Sequence, residues 1–176
     1  MNAFTSISSP ADARFRAYSG CAPASDPAGS LDPFAARYGR KLPLALRAEA
    51  AGMAWSDFSA TYAPQHGPVR LGGWSATALA AGRNCYEATV AVGDTIHTAS
   101  EIASGPVAGM TAMMHDLGLQ LEILSFHRHD LGGTHTTFIL CEAGERRAWA
   151  MGLGATGTES TLRAMIAGVN RMHSDR

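Results

Sequence analysis

Cysteine is scarce in this sequence and follows no recognisable pattern. Its three cysteines, Cys21, Cys85 and Cys141, are widely spaced and include no C-x-x-C pair. This odd, scattered set favours reduced thiols over a disulfide framework or a structural zinc site. Cys141 lies in an apolar stretch, where cysteine usually serves as a small buried side chain, so a catalytic thiol is not predicted there.

An excess of charge and a long apolar run are also missing. Fourteen Lys and Arg against fifteen Asp and Glu give a formal net charge of −1, which offers no electrostatic footprint for nucleic acid or an anionic membrane. No apolar run approaches the roughly 20 residues that cross a bilayer. The amino terminus shows no basic segment followed by an apolar one, as a secretory signal would. We therefore expect a cytoplasmic protein with no nucleic-acid or membrane partner.

Length and motif content exclude several enzyme classes. A chain of 176 residues can bury one core of ordinary size, but a (β/α)₈ barrel typically needs about 250 residues. The sequence contains no G-x-x-x-x-G-K-[ST] loop, no G-x-S-x-G elbow and no pair of acids in a helical frame. No cofactor is predicted.

The first 68 residues lack strand patterning. Residues 1–30 are rich in Ala, Ser, Pro and Asp and are predicted to be loose. Residues 31–68 form a predicted helical subdomain and linker. Its short helices are expected over 33–38, 43–51 and 55–62, and they must pack on something larger because isolated short helices are marginal.

From Val69 onward, apolar residues recur at every second position, which is typical of half-buried strands. The first group predicts strands near 70–80, 84–92 and 95–102 and a helix over 106–117. The second predicts strands over 119–129, 134–142 and 146–153 and a helix from about 156 to 172. The predicted fold class is therefore α+β, with two tandem βββα units over 69–176.

Each unit passes from its third strand into its helix through a glycine-containing turn. In the first unit, Gly105 permits the turn and Pro106 suits the first helical position. Free amides at such a helix start suit a carboxylate or phosphate. In the second unit Gly157 lies at the turn, and Thr156 and Glu159 have the spacing of a capping box. Either both turns need glycine for geometry alone, or the pair brings two sets of free amides together.

Three histidines are candidates for a metal site or for acid–base catalysis. His127 and His129 would share one face of a strand, and His135 follows nearby. Asp130 could add an oxygen ligand, but no third ligand stands at a recognisable metal spacing. No metal site is predicted, and the alternative is an acid–base role for the three imidazoles.

Several stretches, in order and at suitable spacing, resemble the C-terminal regulatory domain of 2-isopropylmalate synthase. They are Ala88–Val90, Ala103–Val107, Leu124–His129, Ala148–Gly154 and Ser160–Ala164. Upstream, Ser19–Gly20 and Tyr38–Leu46 resemble the helical subdomain that links the family's barrel to that domain.

The resemblance implies a homodimeric domain that binds leucine or a related amino or keto acid. In the family the effector lies at the dimer interface, near the glycine-containing helix starts. Carried over by position, the effector-binding candidates are Ser104, Gly105, Pro106, Val107, Ala108, Phe126, His127, Gly154, Ala155 and Thr156.

The sequence departs from the family in ways that affect function. The family's catalytic barrel is not expected in this length, so no acyl-CoA condensation is expected of the chain alone. We expect a stand-alone regulatory domain that acts on a separately encoded barrel-type synthase. The alternatives are a small biosynthetic enzyme that uses His127, His129 and His135, and a purely structural dimerisation partner.

Overall fold

The computed structural model describes residues 32–173. Predictions that concern residues 1–31, including Cys21 and Ser19–Gly20, and the end of the chain from 174 lie outside the described residues. In chain order the elements are α1 (Pro33–Tyr38), α2 (Leu44–Glu49), α3 (Trp55–Tyr62), β1 (Val69–Ala78), a 3₁₀ turn (Ala80–Gly82), β2 (Asn84–Val92), β3 (Thr95–Ala103), α4 (Pro106–Asp116), β4 (Glu122–Asp130), β5 (His135–Ala143), β6 (Arg146–Gly154) and α5 (Gly157–His173).

The strands form two antiparallel sheets, β1-β2-β3 and β4-β5-β6, each followed by its helix. The α+β class and the tandem βββα order are thus confirmed. Both sheets turn their last hairpin at a glycine with positive φ, Gly93 at +58° and Gly144 at +62°. At these positions a side chain would strain the backbone, which explains the choice of glycine.

The two units repeat at a fixed interval. β2 and β5 begin at 84 and 135, β3 and β6 at 95 and 146, and α4 and α5 at 106 and 157, each 51 residues apart. The first strands also match, because each contains a bulge, between Leu71 and Trp74 in β1 and between Ile123 and Ser125 in β4. Positions in one unit can therefore be assigned counterparts in the other.

The main core lies between the two sheets and their helices. It includes Val90 from the first sheet, Met110 from α4, Ile139 from the second sheet and Met165 from α5. Helix α5 is buried along most of its length and packs on β5, β6 and β1. It therefore connects the two units.

The helical subdomain covers the other face of the second sheet. Phe138, Trp149 and Met151 point away from α5 and pack with Phe34 and Phe58. Their counterparts in the first sheet are Glu87, Thr98 and Ser100, which are exposed. By strand alternation, Ile96 and Ile102 lie on that same face of the first sheet and are 72 % and 54 % exposed, whereas the helical subdomain packs on the second sheet.

Asn170 ties the linker and β1 to α5. Its side-chain oxygen accepts from the Val69 amide at 2.9 Å, and its side-chain nitrogen donates to the Val69 carbonyl at 2.8 Å. This buried pairing satisfies both backbone groups where β1 begins.

Several predicted boundaries differ from the structure by one to three residues. β4 begins at Glu122 and not at Leu119, because the Leu119 amide closes the end of α4 by donating to the Met114 carbonyl at 2.8 Å. Helix α2 ends at Glu49, two residues earlier than predicted. Between residues 32 and 173, no helix is long and apolar enough to cross a membrane.

Candidate functional site

The start of α4 carries no cap from a side chain. Gly105 is the N-cap residue, with extended backbone at φ −164°, and no acidic residue occupies the first turn. A Cβ placed on Gly105 would meet nothing within 4 Å. The first junction, residues 104–108, is partly exposed. The backbone amides of this helix start therefore have no side-chain cap.

The start of α5 is already capped. The Thr156 hydroxyl accepts from the Glu159 amide at 3.1 Å, and the Glu159 carboxylate accepts from the Ala155 amide at 2.8 Å. Glu159 also pairs with Arg163 at 2.6 Å. The predicted capping by Thr156 is confirmed, and a carboxylate of the protein itself stands at the second junction, residues 154–157.

The glycines of the two junctions have different roles. The repeat makes Thr156 the counterpart of Gly105, since each carbonyl accepts the first helical bond, from Ser160 and from Gly109 respectively. Gly154 is the last residue of β6, paired with His135, so it lies inside the regular sheet. A Cβ there would come 2.6 Å from the Ser160 amide nitrogen. Glycine at 154 thus permits close packing of α5.

Phe126 and His127 point to opposite faces of the second sheet. Phe126 pairs with Ile139 and shares the α5 face, where it is 44 % exposed. His127 lies on the helical-subdomain face, 6.0 Å from the Trp149 ring and 3.0 Å from the Ser125 hydroxyl. The two predicted site residues therefore cannot line one pocket on one face.

Arg128 adds a cation that the motifs do not single out. It follows Phe126 by two residues and so shares the α5 face. Its Nη1 atom lies 2.6 Å from the position that a Cβ on Gly157 would take. Side chains two residues apart share one face of a strand, so the predicted site residue Phe126 could have indicated Arg128 from the sequence.

The three histidines do not converge. His129 lies between the rings of Phe34 at 6.1 Å and Phe138 at 6.0 Å, on the same face as His127. His135 is in register with Asp130 and, by strand alternation, points to the opposite face. Within residues 32–173 no three His, Cys, Asp or Glu side chains are grouped so as to hold a metal ion.

Cys141 is buried and donates to the Ala148 carbonyl at 3.2 Å. Burial raises the pKa of its thiol to about 11, so the thiol is protonated at neutral pH and is not a nucleophile.

A groove runs beside α5, between β1 and β6. Its volume is about 720 Å³, and its lining includes Trp74, Thr156 and Thr158. Trp74 pairs with Ala88, and Phe126 pairs with Ile139, which lies 51 residues after Ala88. Phe126 is therefore the counterpart of Trp74, just as Gly105 and Val107 are the counterparts of Thr156 and Thr158.

The counterpart surface exposes apolar side chains. We use this name for Leu124, Phe126 and the first junction. Leu124 is 40 % exposed and Phe126 is 44 % exposed. Helix α5 packs against β1, whereas α4 makes no packing of comparable extent with β4. The counterpart surface is thus less covered by its helix than the groove is by α5.

These features define a tandem βββα domain with one capped and one uncapped helix start. No family model matches the chain. It is 27 % identical over 133 residues to 2-isopropylmalate synthase of Renibacterium salmoninarum and 29 % identical over 131 residues to that of an Arthrobacter species. That of a Parafrankia species is 25 % identical over 129 residues.

Each of these three alignments covers 69 % of this chain and 23 % of the relative. The resemblance to 2-isopropylmalate synthase is confirmed, and the coverage is consistent with a C-terminal regulatory domain. The chain spans about a quarter of the length of the curated relatives it matches.

The geometry predicts unequal effects of valine on stability at the two junctions. Gly154→Val should lower the free energy of unfolding by about 1–3 kcal/mol, because the new side chain overlaps the first turn of α5. Gly105→Val should change it by less than about 0.5 kcal/mol, since the position is open and its extended backbone suits a residue before proline. Urea unfolding measures both values, and equal losses would contradict the assignment.

Proposed function

We propose that this chain is a dimerising regulatory domain that binds leucine, or a related amino or keto acid, at the first junction. The observation that carries the proposal is the uncapped start of α4 beside the exposed apolar side chains of the counterpart surface. The regulated partner is a separately encoded barrel-type synthase.

The first junction suits the effector's carboxylate. The amides of the first turn and the helix dipole favour an anion, and Gly105 leaves room for one to approach. The second junction is less suitable, because the Glu159 carboxylate already accepts from the Ala155 amide and occupies that helix start. Of the two junctions, the first is therefore the proposed site.

The counterpart surface suits the effector's side chain and a second copy. Phe126 and Leu124 are large, apolar and exposed, and Val107 is half-buried in the first turn. A branched aliphatic side chain bound there would remove apolar surface from water, which stabilises the complex by roughly 25 cal/mol per Å². Packing by a second copy would cover the remaining exposed area.

The choice of regulated partner follows from the relatives. They are named 2-isopropylmalate synthases, so a synthase of that kind is the protein whose activity an effector-binding domain would adjust. Leu44 on α2 is 79 % exposed and offers a contact on the helical subdomain. An acid–base enzyme is not proposed, because His135 lies on the face opposite His127 and His129.

We expect L-leucine or 4-methyl-2-oxopentanoate to bind the chain in isothermal titration calorimetry. Gly105→Val should weaken binding at least tenfold, because it blocks charge-assisted hydrogen bonds that contribute about 1.5–3 kcal/mol each. Thr77→Val, on an exposed part of β1, is the matched control and should bind like the parent. A folded Gly105→Val protein with parental affinity would show that the first junction is only a turn. A parent that binds neither compound would favour a purely structural dimerisation partner.

We expect light scattering to report a dimer at micromolar concentration. Phe126→Asp should shift the protein to monomers, because it places a charge in the centre of the proposed contact. Ala60→Asp, at an exposed position of α3, should leave the dimer intact. A monomeric parent, or a dimer unaffected by Phe126→Asp, would refute dimerisation through the counterpart surface.

A further inference from the structure

Strand β3 has a free edge that is regular along its whole length. It is an outer strand of the first sheet, and its nine residues pair with β2 without a bulge. The other outer strands differ, because bulges interrupt β1 and β4 and the Trp149 carbonyl of β6 accepts from Arg171. Proteins usually block such an edge with a bulge, a proline or an outward charge. β3 has none of these three devices and is therefore open to pairing with another strand.

Alternate residues of β3 direct their backbone groups away from the sheet. The Val69 amide and carbonyl bond to Asn170, so the opposite residue Val92 turns its own groups towards β3. The regular register then bonds every second residue from Thr95 to Ala103 to β2. The residues between these have an outward amide and carbonyl, and their side chains share one exposed face: Ile96, Thr98, Ser100 and Ile102.

The apolar residues of β3 are placed symmetrically about Ala99. Ile96 lies three residues before it and Ile102 three residues after it, and they are 72 % and 54 % exposed. When two β3 strands pair antiparallel about Ala99, each Ile96 lies opposite Ile102 of the partner subunit. Apolar side chains that face each other across a sheet stabilise the pairing. The same contact covers both exposed isoleucines of each chain.

The charged residues of β3 are placed symmetrically as well. His97 lies two residues before Ala99 and Glu101 two residues after it, and both are half-buried on the other face of the sheet. In the pair, each Glu101 lies opposite His97 of the partner subunit, which gives the inward carboxylate a polar partner.

The register of this pair is selected by these matches. A slip of two residues is the smallest that keeps the backbone hydrogen bonds, since the outward groups alternate. Such a slip in either direction sets Ile96 and Ile102 opposite polar residues and Glu101 opposite an uncharged one. Pairing about Ala99 is therefore favoured over its neighbours, because a sheet register is specified by the side chains that it brings together.

We propose that two copies of this chain pair through β3, antiparallel and centred on Ala99, so that their first sheets join into one six-stranded sheet. The proposal rests on the dimerisation proposed above and identifies a contact that carries it. β3 leads directly into Ser104 of the first junction, so the contact is continuous with the counterpart surface. A two-fold axis makes the contact reciprocal, so the assembly closes after two copies.

Ala99→Cys tests the register. Because Ala99 bonds to β2, the two copies of residue 99 form a non-hydrogen-bonded pair with Cα atoms about 4.5 Å apart, which is within the range for a disulfide. Oxidation with diamide should give a covalent dimer on a non-reducing denaturing gel, with the bond between the two introduced thiols. The parent, which keeps its native cysteines, and Thr95→Cys, whose copies would lie about 26 Å apart, should not give this dimer.

Sedimentation tests the side-chain matches. Ile102→Lys should raise the dissociation constant of the dimer at least about tenfold, because it sets an ammonium group opposite Ile96 twice in each dimer. Thr77→Lys, at an exposed position on the other outer strand of the same sheet, is the matched control. His97→Glu should also weaken the dimer by setting carboxylates opposite each other. Combining it with Glu101→Lys should restore the dimer, which a residue with a role only inside its own chain would not do.

The outcomes separate this contact from the proposed function. A parent dimer that Phe126→Asp dissociates but Ile102→Lys leaves intact would overturn the β3 contact, and the proposed function would stand. A dimeric Ala99→Cys protein that forms no covalent dimer would overturn the register. A monomeric parent would overturn the contact, and the calorimetry described above would then decide whether the chain still binds an effector. If His97→Glu does not fold, Ala99→Cys and Ile102→Lys decide.

Discussion

The close approach of α5 to β6 is the constraint on which the rest of the structure depends. A Cβ on Gly152 would lie 2.1 Å from the Ser160 carbonyl oxygen, and one on Gly154 would lie 2.6 Å from the Ser160 amide nitrogen. The helix therefore rests on strand backbone, with the buried hydroxyls of Thr137 and Ser160 joined at 2.8 Å beneath its start. From this position α5 reaches β1 through Asn170, so one helix connects the second sheet, the first unit and the linker.

The same packing makes the two repeats unequal. In the second unit the glycines serve helix packing, and Thr156 and Glu159 cap the helix start. In the first unit the corresponding cap residue is Gly105, whose amide-rich turn has no side-chain partner. One helix start is thus capped by the protein's own side chains and the other is not. A helix dipole favours an anion at such a start by about 0.3–1 kcal/mol near the surface.

Much of this fold could be predicted from the sequence because its signals are local. Glycine turns, alternation and the capping spacing define the strands and both long helices. The roles of single residues could not be predicted as well. In the sequence, Gly154 resembles a turn that faces a ligand, and only the packing of α5 on β6 shows its structural role. Phe126 and His127 point to opposite faces of the second sheet, and assigning each to its face requires the register around the β4 bulge. Alternation from Phe126 could have selected Arg128, whereas the groove beside Trp74 arises from contacts between elements, which no local pattern encodes.

Hydrogen–deuterium exchange of the parent protein, with and without saturating L-leucine, tests the central claim most directly. In the proposed function, the effector's carboxylate binds at the uncapped start of α4 and the capped start of α5 stays unoccupied. Peptides that cover residues 104–110 should therefore exchange more slowly with leucine, and peptides that cover 155–161 should not change. Protection confined to 155–161, equal protection at both helix starts, or no change over 104–110 would contradict it.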